Sequence, residues 1–122
     1  MARSKSPAGG LKVRVWVERG GVKVLGPGRV ELLEHIARER SISAAAKQMS
    51  MSYRRAWELV QAMNEAAGEP LVEASPGGTK GGGATVTAAG RRAVALYRDL
   101  LEQFGSTTAA VTLPANPLAD PE

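Results

Sequence analysis

The sequence of 122 residues contains no cysteine and a single histidine. The lack of cysteine excludes disulfides, thiolate metal sites and cysteine nucleophiles, and it is typical of a reducing compartment. One histidine cannot assemble a metal site by itself, and no Gly-x-Ser-x-Gly segment supports a serine triad. We therefore expect no enzymatic activity, no metal and no cofactor.

Aromatic side chains and long apolar runs are also scarce. Aromatic residues make up 4% of the chain and hydrophobic residues 43%, so the core is expected to be aliphatic and rich in alanine. No apolar run is long enough to cross a membrane, and residues 1–10 lack the apolar segment of a secretory signal. The expectation is a cytoplasmic protein, and its net charge of +4 permits a nucleic-acid partner.

The central stretch, residues 42–64, predicts two helices joined by a tight turn. Ser43 is a suitable N-cap for the first helix and Ser52 for the second. Arg54 and Arg55 then lie in the first turn of the second helix, where positive charge opposes the helix dipole. This arrangement is typical of a helix end that meets an anion, such as the second helix of a helix-turn-helix in a DNA groove. A plain helical hairpin with solvated arginines accounts for the pattern about equally well.

The residues before this stretch predict a hairpin and a helix. Apolar and polar residues alternate over Leu11–Val17, which indicates a half-buried strand. Gly20-Gly21 is a turn signal, and Val22–Leu25 predicts the returning strand. A helix should follow, with Pro27 in its first turn and its end near Arg40.

The residues after the central stretch predict a second hairpin. Gly68 is a plausible C-cap of the preceding helix. Short apolar segments at 71–74 and 84–87 flank a glycine-rich loop, residues 75–83, and this order is the shape of a wing. The loop lacks the Walker A order and the dinucleotide fingerprint. Its glycines allow backbone amides to approach phosphates and Lys80 adds charge, although a loose solvent loop is the alternative.

The chain closes with a long helix that Thr87 is expected to cap and Gly105 to end. Its broad apolar stripe suits either the core or a dimer seam. The expected domain is residues 11–104, between a flexible basic arm of residues 1–10 and a disordered tail of residues 105–122.

Six stretches of the sequence resemble one known family. They are Ser41–Lys47, Met51–Trp57, Met63–Glu65, Gly68–Glu73, Gly77–Ala84 and Thr87–Gly90. Together they resemble the N-terminal DNA-binding domain of the ModE family of molybdenum-dependent transcriptional regulators, which is related to the LysR type. The resemblance covers residues 11–104. It implies an α+β fold, mainly helical: a winged helix-turn-helix with an N-terminal β-hairpin and a long C-terminal helix.

The combined interpretation is a sequence-specific transcriptional regulator that binds double-stranded DNA as a homodimer. A recognition helix of about residues 52–67 would enter the major groove, and the wing, residues 75–83, would lie on adjacent backbone. The expected DNA-binding residues are Ser43, Lys47, Ser52, Tyr53, Arg54, Arg55, Trp57, Thr79 and Lys80. The expected dimer interface is Tyr97, Leu100, Leu101 and Phe104.

One alternative function fits the same pattern, namely a winged-helix module that binds proteins and does not read DNA. Full-length members of the ModE family also carry molybdate-binding modules after this domain, and residues 105–122 are too few to form one. Regulation is therefore expected from the expression level or from a separate sensor protein.

Overall fold

The computed structural model describes residues 13–75 and 83–108. Their elements follow the order of a winged helix-turn-helix with a preceding hairpin, which confirms the predicted fold class. The elements are β1 Val17–Arg19, β2 Val22–Leu25, α1 Pro27–Glu39, α2 Ile42–Gln48, α3 Tyr53–Ala67, β3 Val72–Ser75, β4 Gly83–Val86 and α4 Ala88–Thr108. Strands β1 and β2 form one antiparallel pair, and β3 and β4 form another. In this described part of the chain, no helix is long and apolar enough to cross a membrane.

The core is aliphatic and contains several alanines, as the composition predicts. Ala45 and Ala46 of α2 and Ala56 of α3 are buried, which lets these two helices cross closely. The side chains with almost no exposed surface include Val30, Leu32, Leu33, Ile36, Ala45, Ala56, Val60, Met63 and Tyr97. Strand β2 adds Val24 and Leu25 to the same cluster, so α3 covers the apolar side of the N-terminal hairpin.

The first strand begins later than the alternation predicts. Strand β1 starts at Val17, whereas Val13–Trp16 form no strand and Leu11 lies outside the described residues. Gly20 and Gly21 form the predicted turn, with φ angles of 60° and 79°. Strand β2 begins directly after this turn and ends at Leu25, which pairs with Val17. The alternation of apolar and polar residues indicates which side chains face the core. It does not set the length of β1, which begins where its pairing with β2 begins.

Helix α4 approaches the β3–β4 hairpin and the residue before it at a glycine. A Cβ atom at Gly90 would lie 2.6 Å from Cγ1 of Val86 and would collide with the carbonyl oxygen of Leu71. Thr87 caps this helix as predicted, because its hydroxyl accepts a hydrogen bond of 3.0 Å from the amide of Gly90. The helix therefore starts in direct backbone contact with the base of the wing.

Two expectations about α4 are wrong. Gly105 does not end the helix, which continues to Thr108. Tyr97 is not exposed, because 99% of its surface is covered and its hydroxyl donates a 2.8 Å hydrogen bond to the carbonyl of Val15. Burial raises the pKa of this phenol. The apolar stripe contains both core and outer positions, and its spacing alone could not assign Tyr97 to the core.

An ion pair joins α4 to α1. The Nε of Arg98 donates to Oε2 of Glu34 at 2.8 Å, and Nη2 of Arg98 also donates to Oε1 of Glu34. This hydrogen bond lowers the pKa of the Glu34 carboxyl. Paired contacts of this kind fix geometry as well as adding stability, so they orient α4 on the domain.

The turn between α2 and α3 differs from the prediction at its start and contains a strained residue. The N-cap of α2 is Ser41, whose hydroxyl accepts from the amide of Ala44 at 3.0 Å, and Ser43 lies inside the helix. Ser50 has a φ angle of 55°, in the left-handed region. A side chain there costs roughly 1–2 kcal/mol, and glycine would avoid most of that cost.

We predict that Ser50→Gly raises the free energy of unfolding by about 0.5–1 kcal/mol, since relieved strain exceeds the added chain entropy of glycine. Urea unfolding followed by circular dichroism measures this change. Ser43→Gly is the matched control, because Ser43 is exposed and helical and glycine there should lower the free energy of unfolding by about 0.3–0.5 kcal/mol. Destabilisation of equal size in both variants would contradict the strain assigned to Ser50.

Candidate nucleic-acid interface

The first turn of α3 is exposed and carries no acidic residue. Ser52 caps it as predicted, with its hydroxyl accepting from the amide of Arg55 at 3.0 Å. Tyr53, Arg54 and Arg55 follow and are exposed. Uncompensated amides and two guanidinium groups therefore concentrate positive charge at one helix end.

Tyr53 and Trp57 form a pair on this surface. Their ring centroids are 6.3 Å apart and the rings meet edge to face at 82°. The indole Nε1 of Trp57 donates to the hydroxyl of Tyr53. Trp57 is half-buried and packs against the core, whereas Tyr53 is 51% exposed. Trp57 therefore supports Tyr53, whose ring stands at the protein surface.

Arg54 pairs with an acidic residue of its own helix. Its Nε lies 3.4 Å from Oε2 of Glu58, and the two side chains are 90% and 53% exposed. Exposed pairs at this spacing contribute about 0.3–0.5 kcal/mol. Arg54 can therefore leave Glu58 for a stronger partner at small cost.

Arg55 lies near a second arginine. Burial first, and then the charge of Arg55, hold the pKa of the Arg29 guanidinium below its usual value. Arg29 donates from Nη1 to the carbonyls of Lys23 at 2.8 Å and Val24 at 3.3 Å. The start of α1 thus brings a fixed cation close to the start of α3.

The remaining predicted residues divide between α2 and the wing. Ser43 and Lys47 are both exposed on α2, and their separation of four residues places them on one face of that helix. Thr79 and Lys80 lie outside the described residues. The hairpin that carries the wing is present, with Val72 opposite Val86 and Ser75 opposite Gly83.

Asn64, whose role the sequence interpretation missed, joins α3 to the start of the β3–β4 hairpin. The side-chain oxygen of Asn64 accepts from the amides of Leu71 at 2.7 Å and Val72 at 3.3 Å. Its Nδ2 donates to the carbonyl of Val72 at 3.0 Å. The sequence pattern indicates this role, because Asn64 continues the row of buried residues Ala56 and Val60 at spacings of four. A polar side chain in such a row requires hydrogen-bond partners.

The sequence matches a known regulatory family over its central part. Residues 28–91, from α1 into α4, match the bacterial regulatory helix-turn-helix proteins of the lysR family. The chain belongs to this family. The match includes α2 and α3, which carry the exposed side chains described above, and it extends through the β3–β4 hairpin to Gly90.

Several curated members of the ModE group are similar to the chain. It is 49% identical over 83 residues to the molybdenum-pterin-binding protein MopB of Rhodobacter capsulatus, covering 68% of this chain and 30% of that protein. It is 41% identical over 106 residues to MopA of the same organism, covering 87% and 39%. It is 47% identical over 78 residues to the dual regulator ModE of Escherichia coli K12, covering 64% and 29%. These relatives confirm the resemblance to the ModE family, and the chain spans less than two-fifths of their lengths.

Solved structures confirm the fold. The DBD of CbnR in a complex with DNA aligns with a TM-score of 0.53 and 24% identity, over 67% of this chain and 88% of that one. A further LysR family transcriptional regulator aligns with a TM-score of 0.51 and 23% identity, over 67% and 26%. The arrangement of the described helices and of the β3–β4 hairpin is therefore that of the LysR-type winged helix.

We predict that Asn64→Ala lowers the free energy of unfolding by about 2–3 kcal/mol, because three hydrogen bonds are lost at about 1 kcal/mol each. Thermal and urea unfolding measure this loss. Gln61→Ala is the matched control, since Gln61 is exposed on the same helix and alanine is the most favourable residue in a helix. It should leave the free energy of unfolding within about 0.5 kcal/mol of the wild type. An Asn64→Ala variant as stable as the wild type would show that Asn64 does not hold the wing.

Proposed function

We propose that this chain is a cytoplasmic, sequence-specific regulator of transcription that binds double-stranded DNA through α3. The observation that carries the proposal is the exposed first turn of α3, where Arg54 and Arg55 stand beside a capped helix end without an acidic residue. Membership of the lysR family supports it. In helix-turn-helix proteins this end of the second helix contacts base edges in the major groove.

The geometry suggests different roles for the two arginines. Arg54 is 90% exposed and makes only a weak, exposed ion pair with Glu58 among its described contacts, so it is free to reach a base edge, and a guanidinium can bind guanine through two hydrogen bonds. Arg55 lies beside Arg29 and faces the N-terminal hairpin, a position suited to the DNA backbone. Ser43, Lys47, Ser52, Tyr53 and Trp57 are proposed to complete or support this surface, together with Thr79 and Lys80.

We predict that Arg54→Ala and Arg55→Ala weaken DNA binding in different ways. A preferred duplex is first selected from random sequences, and affinity is then measured for it and for a scrambled duplex. Arg54→Ala should cost about 1–3 kcal/mol on the preferred duplex only, because a base contact is lost. Arg55→Ala should weaken binding to both duplexes similarly, because phosphates are the same in every sequence.

Unchanged affinity in both folded variants would overturn the assignment of Arg54 and Arg55 to the DNA interface. If the wild type binds neither duplex, the chain is better explained as a protein-interaction module.

We also propose that α4 joins two copies of the chain in a homodimer. Leu96 and Phe104 are 48% and 46% exposed, and Leu100 and Leu101 are half-buried. These four leave apolar surface along the outer side of α4, while Tyr97 is used by the core. A symmetric pair of this kind would present two recognition helices to half-sites roughly 34 Å apart or a multiple of it.

We predict that Leu100→Asp produces monomers and weakens binding to a two-half-site duplex, because a carboxylate cannot be buried in an apolar interface at low cost. Sedimentation velocity and DNA titration measure the two effects. Ala95→Asp is the matched control, since Ala95 is exposed and a five-residue separation places it on another side of the helix. A wild-type protein that stays monomeric at high concentration would refute the proposed dimer.

A further inference from the structure

A groove lined by basic side chains lies between the N-terminal hairpin and the start of α3. We call it the basic groove and define it by Arg14, Trp16, Lys23, Arg29 and Arg55, with Gly26–Gly28 at the start of α1. Two of these cations precede α1 in the sequence, and Arg55 belongs to the recognition helix. The groove therefore continues the proposed DNA surface onto the hairpin.

The charges in the groove are of one sign. Its lining contains four cations and no carboxylate. Within residues 13–75 and 83–108, the ion pairs are Arg54 with Glu58 and Arg98 with Glu34, and neither involves a residue of the groove. Like charges at short range raise the free energy of the folded state unless an anion joins them. Folding stability alone does not explain this clustering.

The groove is also held in shape. The indole of Trp16 lies so close to the start of α1 that a Cβ at Gly26 would come within 2.8 Å of its Cδ1. The ammonium of Lys23 is 5.3 Å from the centroid of the same ring, a distance suited to a cation–π interaction. Arg29 is fixed by its hydrogen bonds to the carbonyls of Lys23 and Val24. These contacts organise the cations in the folded protein before any anion arrives.

We propose that the basic groove binds a phosphate of the DNA backbone beside the bases that α3 contacts. The proposal rests on the proposed DNA-binding function and extends the interface to the N-terminal hairpin. Charge complementarity carries it, since the groove is cationic and shares Arg55 with the recognition helix. The first amides of α1 add the positive end of a helix dipole. Contacts of this kind set the position of a protein on the duplex without reading its sequence.

The test compares Arg14→Gln/Lys23→Gln with wild type on the preferred duplex and on a scrambled duplex, from about 50 to about 200 mM salt. Arg29 is left intact because its hydrogen bonds are structural. The variant should bind both duplexes several-fold more weakly, and the slope of log affinity against log salt should fall by about one. Arg38→Gln/Arg92→Gln is the matched control, since it also removes two exposed cations, from the end of α1 and from α4, and should leave the slope unchanged. Circular dichroism and thermal unfolding check that every variant is folded.

The outcomes separate this inference from the function on which it rests. If the wild type binds duplexes with a steep salt dependence and the double variant matches it in affinity and slope, the groove does not contact DNA. If the wild type shows no such binding, the proposed function itself fails. Calorimetric titration of inorganic phosphate gives a further arm. Saturable binding of phosphate at micromolar concentration that the double variant loses, together with unchanged affinity of that variant for both duplexes, would assign the groove to a free anion and overturn the DNA assignment.

Discussion

The amide side chain of Asn64 holds the recognition helix α3 against the start of β3, the first strand of the hairpin that carries the wing. Asn64 lies on α3, and its hydrogen-bond partners are backbone atoms of residues 71 and 72. Backbone partners cannot move without moving the strand. The position of α3 relative to the start of β3 is therefore set by three hydrogen bonds near the end of the helix, and the exposed first turn remains available for other contacts. Gly68, with a φ angle of 76°, lets the chain reverse between them.

Charge is distributed unevenly around this frame. Arg55 at the start of α3 and Arg29 at the start of α1 form no ion pair within the described residues, whereas Glu65 and Glu69 lie at the end of α3. Arg19 reaches back from the N-terminal hairpin to this end and donates to the carbonyl of Ala66 at 3.5 Å, where a cation suits the helix dipole. The N-terminal hairpin thus lies near both ends of α3. Arg19 contacts the end of the helix, and Lys23 lines the basic groove at its start.

The sequence predicted the order of elements, the Ser52 and Thr87 caps and the exposed arginines, because these depend on local periodicity and capping chemistry. The N-cap of α2 was predicted at Ser43 and lies at Ser41, since the two serines are chemically equivalent and only packing selects between them. The sequence assigned Tyr97 to a dimer surface because an apolar stripe does not reveal which positions the rest of the chain covers. It also missed the basic groove, since Arg14, Lys23, Arg29 and Arg55 are distant in sequence and only the fold brings them together.

The backbone contact at Gly90 affects how freely the long helix can change in sequence. Helix packing through side chains allows compensation, because one residue can grow as its neighbour shrinks. The contact of Gly90 with the carbonyl of Leu71 offers no such exchange. Position 90 should therefore accept glycine alone, while the outer residues of α4 can vary widely without shifting its axis. A helix fixed at one end in this way can acquire new partner surfaces along its length while the DNA-facing half of the domain stays in place.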